Sequence, residues 1–135
     1  MMLAHRGPAA LAVLILSLVP LTACATDDPA VCSSVDDLSS SMDHLGDLQL
    51  GENGRAEFES QLAAVRADLA QVRTDADQQY GAQVAAVTAA ASAVREQFQA
   101  AKAEPSAAAL QPLATAITEL GSGIRALRDA VAGTC

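Results

Sequence analysis

The cysteines at positions 24, 32 and 135 are the side chains of this 135-residue sequence best suited to chemistry. A cysteine can attack as a thiolate, ligate a metal or pair with a second cysteine, and its neighbours decide which. The first two roles need histidine or carboxylate partners close by. After Cys24 the chain has a single histidine, His44, and Cys32 and Cys135 lie near opposite ends of that stretch. No metal site is expected from that set. His44 falls off the apolar seam of its segment, which reads as a solvated surface position. The carboxylates Asp36 and Asp37 are adjacent, and Asp75 and Asp77 are two apart; at those spacings helical side chains do not share a face. They read as solvated helix surface. Asp43 and Asp47, four apart, do share a face but bring no dense cage of oxygens for a cation. Serines gather at 33, 34 and 39–41, with no G-x-S-x-G turn and no histidine–aspartate pair to activate one. P-loop and dinucleotide-binding glycine patterns are absent from the sequence. Neither catalytic residues nor a cofactor are expected, and the chain does not read as an enzyme.

The surroundings of Cys24 are more informative. His5 and Arg6 give a basic start, residues 9–19 are apolar, and Pro20 and small residues come next. Charged, apolar, then small is the order of a secretory signal. The apolar part is about 11 residues long, against the roughly 20 that a spanning helix needs, so no permanent transmembrane segment is expected. Leu21-Thr22-Ala23-Cys24 resembles the lipobox of bacterial lipoproteins, a Leu-small-small-Cys tetrapeptide behind the signal core. The resemblance covers residues 1–24. It implies a signal peptide over 1–23 and a thioether-linked diacylglycerol on Cys24 as first mature residue. It also implies residence on the extracytoplasmic side of a cell membrane. Two or more acyl chains anchor stably where one is marginal. Ala25 follows the lipidated position in place of Asp, so the inner-membrane retention signal of Gram-negative lipoproteins is not matched. Ordinary cleavage at the A-x-A-like run Ala23-Cys24-Ala25 is the other reading and yields a secreted protein. With its alanine-rich remainder, the chain is similar to small helical lipoproteins of high-GC Gram-positive bacteria, a likeness of composition that implies no activity.

Either route takes Cys24 out of the thiol count. Cysteines of exported proteins tend to be oxidised, and Cys32 and Cys135 allow one intramolecular pairing. A Cys32–Cys135 disulfide is expected, with two unrelated thiols or an intermolecular bond as the alternatives. It would close a loop of roughly 104 residues, worth on the order of 4–5 kcal/mol in chain entropy. All 16 acidic residues lie after Cys24, with seven of the eight basic ones, so the mature part carries a net charge of −9. Such a surface repels phosphate backbones and anionic headgroups. Nucleic acid is not an expected partner, and membrane attachment should be covalent.

The elements that must position these residues read as helices throughout. Residues 24–28 form a short tether. Asp28-Pro29 reads as an N-cap followed by a proline in the first helical position. Val31, Val35, Leu38, Met42 and Leu45 then recur at alternating steps of 4 and 3, the repeat of a helix with one narrow seam. This helix is expected to end near Leu50, with Gly51 as its stop and Asn53 as the next cap. A second stripe begins at Phe58, Leu62, Val65, Leu69 and Val72 and continues to Ala101. Three consecutive steps of 4 (Val72, Ala76, Tyr80, Val84) form a stutter beside Gly81. One helix over 55–103, about 73 Å long, is the favoured reading, with a turn at Gly81 as the alternative. Residues 104–111 read as an alanine-rich connection, partly helical at most. Pro112 opens the last helix, and Gly133 closes it. Its stripe runs Leu113, Ile117, Leu120, Ile124, Leu127 and Val131 across Gly121 and Gly123.

The expected fold is therefore all-α, a helical bundle or coiled coil forming one domain over 29–135. In the favoured arrangement a long central helix carries two shorter antiparallel helices, 29–50 and 112–132, one on each half. The alternative is an up-down-up-down four-helix bundle. Both bring Cys32 and Cys135 together. The function expected is that of an exported, lipid-anchored envelope protein acting by protein contact, as spacer, scaffold or binding module. Its partner would be an envelope protein of unknown identity, with self-association as a further possibility. The alternative is a carrier or sensor of a small apolar ligand, which alanine-rich seams disfavour because they leave little concave volume.

Overall fold

A computed structural model describes residues 28–48 and 54–135. The signal segment and Cys24 lie outside the described residues, as do the expected helix signals Gly51 and Asn53. The order of elements is α1 (Ala30–Asp47), α2 (Gly54–Asp75), a 3-10 turn (Gln78–Tyr80), α3 (Gly81–Ala103) and α4 (Ala107–Ala132). No strand occurs among the described residues. The protein is an all-α helical bundle.

Each helix buries the stripe that its spacing marks out. Leu38 on α1, Val65 and Val72 on α2, Val87 and Val94 on α3, and Leu120 and Leu127 on α4 are completely buried. Steps of 4 and 3 keep these residues on one side of a 3.6-residue helix, and four such seams close around one core. Ala116 is buried and Ile117 only partly so, a small rotation of the seam at the start of α4.

Of the two arrangements the sequence allowed, the molecule adopts the four-helix one. Ser34 and Ser41 on α1 meet Asp75 and Asp68 on α2, so those helices run antiparallel. Phe58 near the start of α2 stacks on Phe98 near the end of α3, with ring centroids 4.7 Å apart. On α4, a Cβ added at Gly123 would stand 3.5 Å from Val87 of α3, and one at Gly121 would stand 3.7 Å from Met42 of α1. Every sequential pair is thus antiparallel, and α4 returns beside α1. The backbones of α3 and α4 and of α1 and α2 approach most closely. Alanine and glycine permit this between α3 and α4, while the two phenylalanines stand between α2 and α3.

The single helix expected over 55–103 is not formed. It ends at Asp75, and Asp77 is extended, with φ −69° and ψ 161°. Thr74, Asp75 and Asp77 are poor helix formers whose side chains favour turns and caps. The 3-10 turn comes next, with the Tyr80 amide donating to the Asp77 carbonyl at 3.0 Å. Gly81 is not the hinge. Its φ of −56° and ψ of −38° are ordinary helix, and it begins α3. The stutter in the stripe marks the break itself.

Three boundaries also differ from expectation. Pro29 takes the N-cap position of α1 in place of Asp28, and α1 stops at Asp47, where Leu48 turns extended. The last helix begins at Ala107, not Pro112. Ser106 caps it by accepting from the Ala109 amide at 3.1 Å, and three alanines with high helix propensity follow. Pro112 therefore lies inside α4 and removes one amide donor, leaving the carbonyl of exposed Ala108 without its helical partner. Gly133 is the C-cap of α4, as its position suggests.

Candidate functional site

The two ends of the bundle differ in chemistry. At one end the start of α1, the end of α2, the 3-10 turn and the end of α4 converge. Cys32, in the first turn of α1, and Cys135, just past α4, are joined by a disulfide, with Cα atoms 5.8 Å apart. The Cys135 amide donates to the Val131 carbonyl at 3.1 Å, so the chain end continues the helical path that brings its sulfur to Cys32. Cys32 packs against the core, whereas Cys135 is exposed.

Polar contacts surround this tie. Tyr80 is buried and its hydroxyl pairs with that of Thr134. Ser34, the one buried polar residue among those described, lies against the Asp75 carboxylate and within 2.9 Å of the Ala30 carbonyl. A hydroxyl has one proton to give, and the charged acceptor is the stronger. Gln71 donates a second hydrogen bond to Asp75 at 2.8 Å. The Ser34 hydroxyl, and then the Gln71 amide, hold the Asp75 carboxyl below its ordinary range against a smaller opposing effect of burial. This matters because Asp75 is the last residue of α2, where the helix dipole disfavours a negative charge. The reading of Asp75 as solvated surface is thus corrected: it is half-buried and joins two helices. Ser34 lies three residues after Val31, on the buried side of α1, which is what turns its hydroxyl toward α2.

The opposite end holds the aromatic residues. Lys102 lies 5.5 Å from the Phe98 ring centroid and 3.3 Å from the Glu59 carboxylate. Beside them opens a cavity of about 330 Å³ between the start of α2, the end of α3 and the start of α4. A larger cleft of about 700 Å³ runs between α1 and α4, with Asp43 and Asp47 on one wall and Arg125 and Arg128 on the other. The seams themselves are closed, as alanine-rich packing requires. Concave volume lies at the end of the bundle and along α1 and α4, where periodicity gives no signal.

The remaining candidates are dispersed. His44 is exposed in the last turn of α1. Asp36, Asp37 and Asp77 fall on different parts of the helix ends and surface, none within a cluster. Ser33 and Ser39 donate back to carbonyls of their own helix, a local habit of serine. No cluster of three or more histidine, cysteine, aspartate or glutamate residues suited to a metal exists among the described residues. No described helix is long and apolar enough to cross a membrane. No family model matches the chain, and no curated protein or solved structure matches it either.

Proposed function

We propose that the protein is exported, anchored through a diacylglyceryl group on Cys24, and acts by contact with another envelope protein. The observation that carries this reading is the disulfide that ties Cys32 to the chain end. Structural disulfides belong to oxidising compartments, and this one lies eight residues beyond the lipobox-like Leu21-Thr22-Ala23-Cys24. Residues 24–29 can reach at most about 20 Å when extended. The tied end of the bundle then lies near the bilayer, and the four helices extend about 33 Å beyond it. A net charge of −9 keeps such a domain off an anionic surface, so it stands as a spacer that presents helix faces and its aromatic end. The chemistry needed for this role is rigidity and a fixed foot, and no reacting group enters it.

Mass spectrometry of the amino-terminal peptide from the membrane fraction tests the reading. A peptide beginning at Cys24 with a diacylglyceryl mass supports it, and Cys24→Ala should then abolish both the modification and membrane retention. An unmodified terminus at Thr26 in the medium would replace the anchored protein with a secreted one. An intact Met1 or Met2 in the cytosol would overturn export altogether.

A further inference from the structure

The cavity at the aromatic end has a specific cause. Cys32 lies beside Cys135 and Met42 beside Gly121, so Asp47 falls near Ile117 across the bundle. Residues 107–116 of α4 therefore extend past the end of α1. Among the described residues no helix accompanies them at that corner of the bundle, and the cavity lies beside it. Its floor is apolar, made of Phe98, Ala101 and Leu113. Leu110 forms its lip and is 40% exposed, the one large apolar side chain so exposed among the described residues.

Two basic side chains stand at the same mouth, one of them, Lys102, paired with Glu59. Arg55 and Lys102 line it, in a chain with only seven basic residues after Cys24. The N-terminus of α4 also opens onto it through Ser106 and Ala107, and no acidic residue occupies the first turn of that 26-residue helix. The hydrogen bonds of that turn are made by Ala109 and Leu110, both to Ser106, and the Ala107 and Ala108 amides precede them. Helix dipole, guanidinium and ammonium thus converge beside an apolar hollow.

We infer that this corner binds a single-chain amphiphile with a carboxylate head. The head lies between Arg55, Lys102 and the first amides of α4, and the acyl chain covers Phe98, Leu110 and Leu113. A volume of about 330 Å³ lies at the low end of the ~300–1,000 Å³ typical of small-molecule pockets. That suits one short acyl chain better than the two chains of a diacyl lipid. Glu59 beside Lys102 and the acidic surface around them favour a singly charged head over a doubly charged one. The inference is independent of the anchor and stands or falls whatever Cys24 carries.

The test is titration of the purified protein, disulfide intact, with decanoate below its micelle concentration, read by amide chemical shifts. Saturable shifts at Ala107, Ala108 and Leu110 are expected. Decanol and acetate, which each lack half of the ligand, should bind at least about tenfold more weakly. Leu110→Asp should weaken decanoate binding by about tenfold or more, and Arg55→Ala by several-fold. Both residues are exposed, so both variants should fold, and an unchanged circular dichroism spectrum verifies it. Three results would overturn the inference: no saturable shift, decanol binding as tightly as decanoate, or shifts at Met42 and Gly121 with residues 107–110 unmoved.

Discussion

Replacing both Cys32 and Cys135 with alanine removes the covalent tie without leaving a lone thiol to pair elsewhere. The two cysteines are 103 positions apart in sequence. Closing a loop of about 100 residues lowers the entropy of the unfolded chain by an amount worth about 4.7 kcal/mol at 25 °C. Unfolding a domain of this size carries an entropy of roughly 0.22 kcal/mol/K near its midpoint. The double variant should therefore melt about 20 °C below the parent, a large fraction of the ~5–15 kcal/mol that typical domains possess. The assay is thermal and urea unfolding followed by helical circular dichroism, without reductant. A second signature separates this cause from lost packing at Cys32. Freed of its cross-link, the unfolded chain expands, so the urea m-value should rise along with the fall in midpoint. A fall in midpoint with unchanged m would assign the effect to native contacts. A melt within a few degrees of the parent would refute the reasoning, because the tie would then constrain nothing that unfolding releases.

Leu120 and Leu38 are wholly buried, so Leu120→Ala or Leu38→Ala should cost about 2–5 kcal/mol in chemical denaturation, and a cost under about 1 kcal/mol would contradict the described core. At Gly121 and Gly123 an added Cβ meets only ordinary van der Waals neighbours at 3.5–4.0 Å; Gly→Ala at either should raise stability by about 0.5–1 kcal/mol, measured by urea midpoint. The Asp75 carboxyl is held below its unfolded value of 3.8 by Ser34 and Gln71, so its contribution is fully present above pH 3.8 and is lost as pH falls through the lower folded value. Urea unfolding from about pH 5 down to about pH 2 should show this acid loss diminished in Ser34→Ala, and an identical slope would discount the contact.

Much of this architecture was legible in the chain. The alternating steps of 4 and 3 identify the buried seams because burial of one helix face demands that period, and the cysteine count after Cys24 leaves one pairing within the chain. The four-helix arrangement was less legible because helix-forming glutamines and alanines surround Gly81 and favour an unbroken helix there. The break comes a few residues earlier, where Asp77 turns extended and Thr74, Asp75 and Asp77 give the segment low helix propensity. The stutter there was the signal: three steps of 4 rotate the seam away from its partner, and the chain turns instead of twisting. The start of α4 is less legible because Pro112 is a stronger local signal than Ser106, although the helix tolerates the missing donor near its cap. The contact between Ser34 and Asp75 and the cavity beside Phe98 depend on how the ends of different helices align, and no periodicity within one helix encodes that. The start of α4 is exposed through helix lengths: α1 has 18 residues and α4 has 26, so among the described residues α4 extends past the end of α1.

We propose that the tie between Cys32 and Cys135 closes the domain in an oxidising compartment, beside a lipid anchor on Cys24. Non-reducing peptide mapping of the protein isolated from its own cells tests it most directly. The predicted result is one cross-linked peptide pair containing Cys32 and Cys135, no alkylatable thiol at either, and Cys24 recovered separately with its lipid. Free thiols at Cys32 and Cys135, or a disulfide that includes Cys24, would contradict it.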